Sequence, residues 1–386
     1  MKKVLHLLFI AHDLGEGGAE RVLTNLLSNL DYARYRVDLL VGTDQGAVYL
    51  EKLPESVHVF YVKDFFRYIN TYRKMCKLFY KLHCSLFSLF IRFLFIKRSG
   101  FNMLKKHDGV ISFLEDNPVL FHSFYQMNKK AFHISWVHCD PLSRGYNCFF
   151  PLCYGIFYHQ MDYIICVTEA TKKAFMKVYD IPEKKVKVIY NPIDKKNILE
   201  EANAFSVEKR KFTIGFVGRL HKRADRLIRV ARLFKDAGYD LDFWFLGDAK
   251  NMMELSRELS VEDCCVFYGF QKNPYPYMKV MDIYISTSDA EACSSTIIEA
   301  FCLGRPVVST RTVGPSELLD NGLYGILTDF DDQAIFLALK SLVDDPELRR
   351  YYEKQALERS RLFDLSHPMN QIMGLFEELA ARKINL

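Results

Sequence analysis

The chain has 386 residues, of which 49% are hydrophobic and 26% charged, and its formal net charge is +5. This length exceeds what one hydrophobic core usually organises, so we expect two domains. No segment has the roughly 20 consecutive apolar residues that a membrane-spanning helix requires. Ten cysteines are present, but they include no CxxC pair, which disfavours a cysteine zinc site and favours reduced thiols in a cytosolic protein.

The first part of the chain alternates short apolar runs with helical patterns. The run Val4–Ala11 is short for a signal peptide and leads into a glycine-rich turn, so we interpret it as a buried strand, with a helix at Glu20–Leu30. Further predicted strands are Arg36–Val41, Val57–Val62, His107–Leu114, Ala131–His138, Tyr163–Thr168 and Val186–Tyr190. Strands that alternate with helices predict a parallel sheet with right-handed crossovers.

The pattern restarts after a polar segment, Asp194–Arg210, which is the best linker candidate. The second series of predicted strands and helices is Phe212–Val217, Asp225–Ala237, Leu241–Leu246, Met252–Leu259, Cys265–Tyr268, Ile283–Ser286, Pro306–Ser309 and Gly325–Leu327. We therefore predict an α/β fold of two doubly wound domains, 1–195 and 196–365, with a terminal helix at 366–386 packing back on the first. Ligands should bind at the carboxyl ends of the strands, in a cleft between the domains.

A basic segment interrupts the first series. Between Asp64 and His107 there are ten Lys or Arg residues against one acid, interleaved with aromatic and aliphatic residues. Such a segment can lie in a membrane interface and be attracted by anionic lipids. It can equally form ordinary domain helices with a solvated basic face. A nucleic-acid surface is the weakest interpretation, because no recognition module accompanies the charge.

The segment from Asp289 to Val308 carries the most chemistry. A predicted strand ends near Ser286 and a helix begins around Ser294–Thr296, where hydroxyl residues suit an N-cap. The free N–H groups of such a helix start can bind a pyrophosphate. Glu291 precedes this helix and Glu299 lies within it, so the two carboxylates can accept hydrogen bonds from separate hydroxyl-bearing parts of one ligand.

These residues resemble a known family. Glu291 and Glu299 are separated by seven residues and followed by Gly304-Arg305-Pro306-Val307-Val308, similar to the E-x7-E signature of retaining, family-4-type glycosyltransferases of the GT-B fold. The resemblance extends along most of the chain, and the last of its further segments is similar to bacterial polysaccharide-assembly members. Those segments are 17–21 (GGAER), 167–170 (VTEA), 188–194 (VIYNPID), 216–220 (FVGRL), 268–270 (YGF) and 273–277 (NPYPY).

The resemblance implies a role for each matching residue. Glu299 would bind the ribose of the nucleotide, and Glu291 a hydroxyl of the donor sugar. Arg219 and Lys222 would neutralise the departing diphosphate, and His138 matches the active-site histidine of the family. The other implied donor-binding residues are Gly17, Gly18, Cys293, Ser294, Ser295 and Thr296.

The chain departs from the family pattern at two positions. Ala292 stands where the family usually has glycine. Because a glycine there often serves a special backbone angle, we expect the alanine to reshape the loop or to restrict the donor. The loop between Arg219 and Lys222 is shorter than usual, which leaves Arg223 as a competitor of Lys222 for the diphosphate. The early glycines also invite a dinucleotide interpretation, but Glu20 occupies the place of the last glycine of that motif.

Together these features predict a retaining, hexosyltransferase-type glycosyltransferase in cell-surface polysaccharide synthesis, cytoplasmic and peripheral at the inner face of the membrane. The expected partners are a nucleotide-diphosphate sugar, most simply a UDP-sugar, a glycan or lipid-linked glycan acceptor, and an anionic membrane through 64–107. Neither nucleic acid nor a metal cofactor is expected. Two alternatives stay open: a GT-B-fold sugar-nucleotide epimerase and a catalytically silent partner of a transferase. The sugar, base, acceptor, linkage and oligomeric state are not determined.

If the basic segment binds membranes, the purified protein should sediment with vesicles containing anionic lipid at low salt and be released as the salt rises. Neutral vesicles are the matched control. Failure to sediment with anionic vesicles at low salt would contradict the membrane interpretation.

Overall fold

The computed structural model describes residues 3–15, 17–43, 48–61, 107–126, 128–142, 149–219, 222–247 and 251–384. The basic segment predicted at 64–107 lies outside these ranges, apart from His107. The chain divides into two compact units, one formed by Met1–Pro192 with Ser366–Leu386 and the other by Ile193–Leu365. The division falls slightly before the boundary predicted after residue 195.

The first unit contains a seven-stranded parallel sheet in the order β3-β2-β1-β4-β5-β6-β7. Its strands are β1 (Leu5–Ala11), β2 (Tyr35–Val41), β3 (Val57–Tyr61), β4 (Gly109–Ser112), β5 (Phe132–Val137), β6 (Tyr163–Cys166) and β7 (Val186–Val188). Its first four described helices are α1 (Gly18–Ser28), α2 (Asn117–Tyr125), α3 (Phe149–His159) and α4 (Glu169–Tyr179).

Apolar runs form these strands because the sheet is covered on both faces. Leu7 to Ile10 of β1 are fully buried, as are their neighbours Val37 and Leu39 in β2. The run predicted as His107–Leu114 is longer than β4, because Phe113 is buried beyond the end of the strand. An apolar run therefore indicates which residues are buried, and it overestimates the length of the strand.

The second unit contains a six-stranded parallel sheet in the order β10-β9-β8-β11-β12-β13. Its strands are β8 (Phe212–Val217), β9 (Leu241–Leu246), β10 (Cys265–Gly269), β11 (Ile283–Ser286), β12 (Val307–Thr310) and β13 (Ile326–Thr328). Its described helices are α5 (Lys195–Glu201), α6 (Ala224–Asp236), α7 (Met252–Glu258), α8 (Tyr275–Val280), α9 (Ser295–Cys302), α10 (Val313–Leu318), α11 (Asp332–Asp344) and α12 (Pro346–Ser360). Each unit is thus a doubly wound parallel sheet of the kind the sequence predicts.

The linker prediction for Asp194–Arg210 is wrong for its first part, which is the helix α5. The Asp194 side chain accepts a hydrogen bond from Asn197 N at 2.9 Å and so caps the helix. Ile198 is buried, and the Asn273 side chain donates to Glu201 O at 2.9 Å. The cap, the buried Ile198 and the hydrogen bond from Asn273 hold this short polar helix on the second unit.

The last helix, α13 (Ser366–Ile384), packs on the first unit. Phe376 is fully buried, and its ring centroid lies 6.4 Å from that of Phe9, 6.1 Å from Tyr35 and 5.8 Å from Phe132. Burying one such ring contributes about 1.5–3 kcal/mol. Among the described residues, no helix is long and apolar enough to cross a membrane.

Candidate active site

A loop of the second unit, residues 287–294, joins the carboxyl end of β11 to α9. The helix begins at Ser295 with Ser294 as its N-cap, where the sequence predicts a helix start. The Ser294 side chain makes no capping hydrogen bond and instead lies 3.0 Å from Thr296 Oγ1, oxygen to oxygen. The N-cap side chain therefore does not occupy the N–H groups of Ser295 and Thr296, which belong to the predicted donor-binding stretch from Cys293 to Thr296 and can bind an anion.

Lys222 and Glu291 form an ion pair. Lys222 stands in the turn before α6, where its N–H donates to Arg219 O at 2.9 Å, and Glu291 stands in the loop before α9. Their side chains are 26% and 13% exposed. Two residues that the sequence separates by 69 positions are thus in direct contact at one edge of the sheet.

Arg223, the competitor of Lys222, is held elsewhere. It has a left-handed backbone conformation (φ 61°), and its guanidinium bonds to Asp225 at 3.0 Å and to Asp289 at 2.7 Å. Burial would raise the pKa of Asp289, but the hydrogen bonds from Arg223 and Arg226 outweigh it and lower that pKa. With Arg223 bound to two carboxylates, the geometry favours Lys222 as the cation beside Glu291.

Arg226 forms hydrogen bonds to the loop that contains Glu291. Its buried guanidinium donates to Thr287 O at 2.8 Å and to Asp289 at 2.6 Å. In return, Thr287 Oγ1 donates to Arg223 O at 2.8 Å. The start of α6 therefore donates hydrogen bonds to the loop and accepts one from it. These bonds place Lys222 next to Glu291.

Arg226 belongs to none of the predicted site motifs, although the sequence carries one signal of its role. Val230, four residues further along α6, is fully buried, as is Leu227, so Arg226 lies on the apolar face of an amphipathic helix. A charge on such a face requires a partner.

Glu299 and Tyr284 form the buried floor of this site. Glu299 on α9 is 1% exposed, and Tyr284 on β11 is equally buried. The Tyr284 hydroxyl donates to Thr296 Oγ1 at 2.7 Å. Burial, with smaller contributions from Glu299 and Glu291, raises the pKa of Tyr284 well above its ordinary value, so the phenol stays a protonated donor. Tyr284 was not predicted from the sequence, because it lies within an apolar strand.

Ala292 does not have a positive φ, so the loop follows a backbone path here that does not require the family's glycine. The close approach is instead at Gly314 in α10, whose N–H donates to Glu291 O at 2.9 Å. A Cβ on Gly314 would lie 2.3 Å from Ala292 O and 2.7 Å from Glu291 O. The position that cannot accommodate a side chain is therefore Gly314, which packs against the loop but is distant from it in sequence.

Arg219 is exposed at the end of β8. The preceding residue, Gly218, is abutted by Gly247 at the end of β9: with φ at +132°, Gly247 would place a Cβ 2.0 Å from Gly218 O. Two adjoining glycines thus let the ends of β8 and β9 meet closely beneath Arg219.

Gly17, Gly18 and His138 belong to the first unit and follow β1 and β5. Gly17 is the N-cap of α1, and Gly18 is its first residue. The φ of Gly17 is −77°, which any residue adopts, but a Cβ there would lie 1.7 Å from Glu20 Oε2. The glycine therefore makes room for the carboxylate of the first helical turn.

His138 follows β5, and its backbone is held by Glu115. The buried Glu115 carboxylate accepts hydrogen bonds from the N–H groups of His138 and, at 2.7 Å, Cys139. Burial lowers the pKa of His138 to about 3, so its imidazole is neutral at physiological pH. Its Nε2 is buried without a hydrogen-bond partner in the described part of the chain. Glu115, which follows β4, was not predicted from the sequence.

Two family models match adjoining parts of the chain. The model described as Glycosyltransferase Family 4 matches residues 119–197, and the one described as Glycosyl transferases group 1 matches residues 197–359. The chain belongs to the family-4 glycosyltransferases. The resemblance drawn from Glu291, Glu299 and the other motif residues is confirmed at the level of the family.

This glycosyltransferase is similar to a Campylobacter jejuni enzyme named as an N-acetylgalactosamine-N,N'-diacetylbacillosaminyl-diphospho-undecaprenol 4-alpha-N-acetylgalactosaminyltransferase. The two are 27% identical over 364 residues, covering 92% of this chain and 94% of the relative. Anabaena HepE, in a structure with UDP-glucose, superposes with a TM-score of 0.74 at 18% identity over 97% of this chain and 100% of that one. The lipopolysaccharide outer core galactosyltransferase WaaB gives 0.65 at 18%, over 97% and 100%. These structural likenesses show the GT-B fold of two Rossmann-like domains.

We expect Gly314→Ala to lower kcat/KM by about tenfold to a hundredfold while the protein stays folded, because the new methyl group displaces Glu291 from its position. Steady-state transfer kinetics measure the effect. Gly374→Ala is the matched control, since Gly374 is also helical and has nothing within 4 Å of a Cβ. Equal activity of both variants would show that the loop does not depend on this contact.

Proposed function

We propose that this glycosyltransferase moves a hexose-type sugar, with retention of configuration, from a nucleotide-diphosphate sugar to a glycan or lipid-linked glycan acceptor. The observation that carries the proposal is the Lys222–Glu291 ion pair beside the N-terminus of α9. A cation, a carboxylate and the first-turn N–H groups of Ser295 and Thr296 suit the diphosphate and the sugar of such a donor.

In this proposal the donor separates the ion pair. The diphosphate takes Lys222 as its counter-charge, and a sugar hydroxyl donates a hydrogen bond to Glu291. Arg219, exposed at the end of β8, supplies a second cation. Both cations and the helix N-terminus act where negative charge grows as the bond between sugar and phosphate breaks, so the step requires no metal ion.

Glu299 is assigned to the ribose. Its burial on α9 favours a fixed carboxylate over a solvated one, and two ribose hydroxyls can donate to its two oxygens. Tyr284 supports the same region, because its hydroxyl fixes Thr296 in the first turn of α9.

For retention, the acceptor oxygen attacks the anomeric carbon from the face that the diphosphate leaves. The new bond joins acceptor oxygen to carbon, the bond from carbon to the phosphate oxygen breaks, and that oxygen takes the acceptor proton. Neutral His138 accepts or donates a hydrogen bond without adding charge. Gly17 and Gly18, at the start of α1, are assigned to the approach of backbone to the donor and acceptor.

The relatives support the finer assignment of partners. The Campylobacter relative is named for a diphospho-undecaprenol acceptor, and HepE binds UDP-glucose. We accordingly propose a UDP-sugar donor, a lipid-linked acceptor in cell-surface polysaccharide synthesis, and work at the inner face of the membrane through segment 64–107.

We expect Lys222→Ala and Glu291→Ala each to lower kcat by about a hundredfold to a thousandfold, because each removes a group that acts on the departing or reacting part of the donor. Transfer to acceptor is followed with a radiolabelled donor. Lys354→Ala, at an exposed position on α12, is the control. Full activity of both site variants would defeat the assignment.

We expect Glu299→Ala to weaken nucleotide binding about tenfold to a hundredfold, the equivalent of one hydrogen-bonded charge. Titration calorimetry with UDP measures the change, and Glu299→Gln, which keeps the shape and one acceptor oxygen, should fall between. An unchanged affinity in Glu299→Ala would contradict the ribose role.

A thermal-shift panel of nucleotide sugars identifies the donor, because a ligand that binds the folded state stabilises it by mass action. Incubation with that donor alone then separates the activities. An epimerase releases a rearranged nucleotide sugar, a transferase forms product only with acceptor, and a silent partner does neither.

A further inference from the structure

Three side chains from distant parts of the sequence converge on the first unit. His6 lies on β1, Asp38 on β2 and His107 just before β4. The Nε2 atoms of His6 and His107 lie 2.9 Å and 2.7 Å from the same carboxylate oxygen of Asp38. Their potential ligand atoms are all within 4.8 Å of one another, the one such group that the described residues contain.

This cluster is separate from the candidate active site. His6 is the second residue of β1 and precedes the carboxyl end of the strand, Ala11, by five residues. At about 3.3 Å per residue, this separation is roughly 16 Å along the sheet. Gly17 and His138 follow carboxyl ends of strands, whereas the cluster lies away from them. The proposed transfer reaction therefore assigns no role to the cluster.

The hydrogen bonds of the cluster leave one ring nitrogen of His107 without a partner. His107 is buried, with its side chain 1% exposed, and its Nδ1 has no hydrogen-bond partner among the described residues. When Nε2 donates to Asp38, the lone pair of Nδ1 is unpaired. A metal ion on Nε2 would shift the proton to Nδ1 at no greater cost, since that atom is unpaired in both cases.

We propose that His6, Asp38 and His107 bind a divalent transition-metal ion of the zinc type through the two Nε2 atoms and the carboxylate. Two imidazoles and one carboxylate suit Zn²⁺ and its neighbours, whereas Mg²⁺ and Ca²⁺ prefer oxygen ligands alone.

The geometry requires a small opening. Bonds of about 2.0–2.1 Å in tetrahedral geometry place ligand atoms about 3.3 Å apart, so each histidine must withdraw from Asp38 by roughly half an ångström. His58, whose Nδ1 lies 3.7 Å from the other oxygen of Asp38, stands beside the cluster but is not one of the three residues whose ligand atoms lie within 4.8 Å of one another. Its side chain is 69% exposed, so the ion can enter from this side.

The charges of the cluster suit a cation. Burial, reinforced by His107, lowers the pKa of His6 against the opposing effect of Asp38, so neutral imidazole is present at physiological pH. Asp38 supplies one negative charge. Arg36 is the opposing cation and acts on His6, but it is exposed and screened by salt. A bound ion would tie together β1, β2 and the residue that enters β4.

The test uses the full chain, stripped with a chelator and titrated with Zn²⁺ against a chromophoric competitor. We expect about one equivalent to bind, and His6→Gln and Asp38→Asn each to weaken this binding at least tenfold. His367→Gln, at an exposed position on α13, should bind as the parent does. Co²⁺ should give visible absorption bands in the parent that His6→Gln lacks.

Two results would overturn the site. One is the absence of an equivalent of bound Zn²⁺ in the parent, and the other is unchanged binding in both ligand variants, which would point to cysteines. Circular dichroism checks folding, and His6→Gln is decisive because His6 is partly exposed and tolerates change better than Asp38. Since the readout is metal binding, the result is independent of the proposed transfer activity.

Discussion

Two arginines, Arg223 and Arg226, share the carboxylate of Asp289, and the candidate donor site depends on this contact. Because Asp289 is half exposed, solvent screens the pair and its net stabilisation is small. Its importance is positional. Arg226 also binds Thr287 O, so the loop before α9 has a fixed path, and Glu291 meets Lys222 at the end of that path.

The same loop is held from a second side by Gly314, which has no side chain to keep it away. Backbone contact, ion pairs and the helix start of α9 thus converge within one short segment. In the proposed reaction, such a site has its cations and N–H groups in place before the substrate binds, so it would stabilise a departing diphosphate with little reorganisation. Buried Tyr284 and Glu299 form its interior, where a water-poor environment strengthens each hydrogen bond.

In the first unit, the carboxyl ends and the amino ends of the strands carry different groups of polar residues. Residues after β1, β4 and β5 provide Gly17, Glu115 and His138, with Glu115 holding the backbone of His138. Toward the amino ends, Asp38 gathers two histidines. In a parallel sheet the carboxyl ends of all strands lie on the same side, and the loops that follow them carry function. Residues toward the amino ends are available to connect neighbouring strands.

The sequence by itself determined the two parallel sheets, because strands buried on both faces read as apolar runs. It also predicted the start of α9, which the structure confirms. Glu291, Glu299 and Lys222 could be predicted as site residues, because they belong to a contiguous motif or to one anchored by a helix pattern. Tertiary structure alone decided how the loop is held and where its space is limited. Arg226, Tyr284 and Gly314 act through contacts across the sheet, as do His6, Asp38 and His107, and no spacing along the chain records such contacts. The polar helix α5 escaped for the same reason, since it is stabilised by one cap and by packing against the second unit.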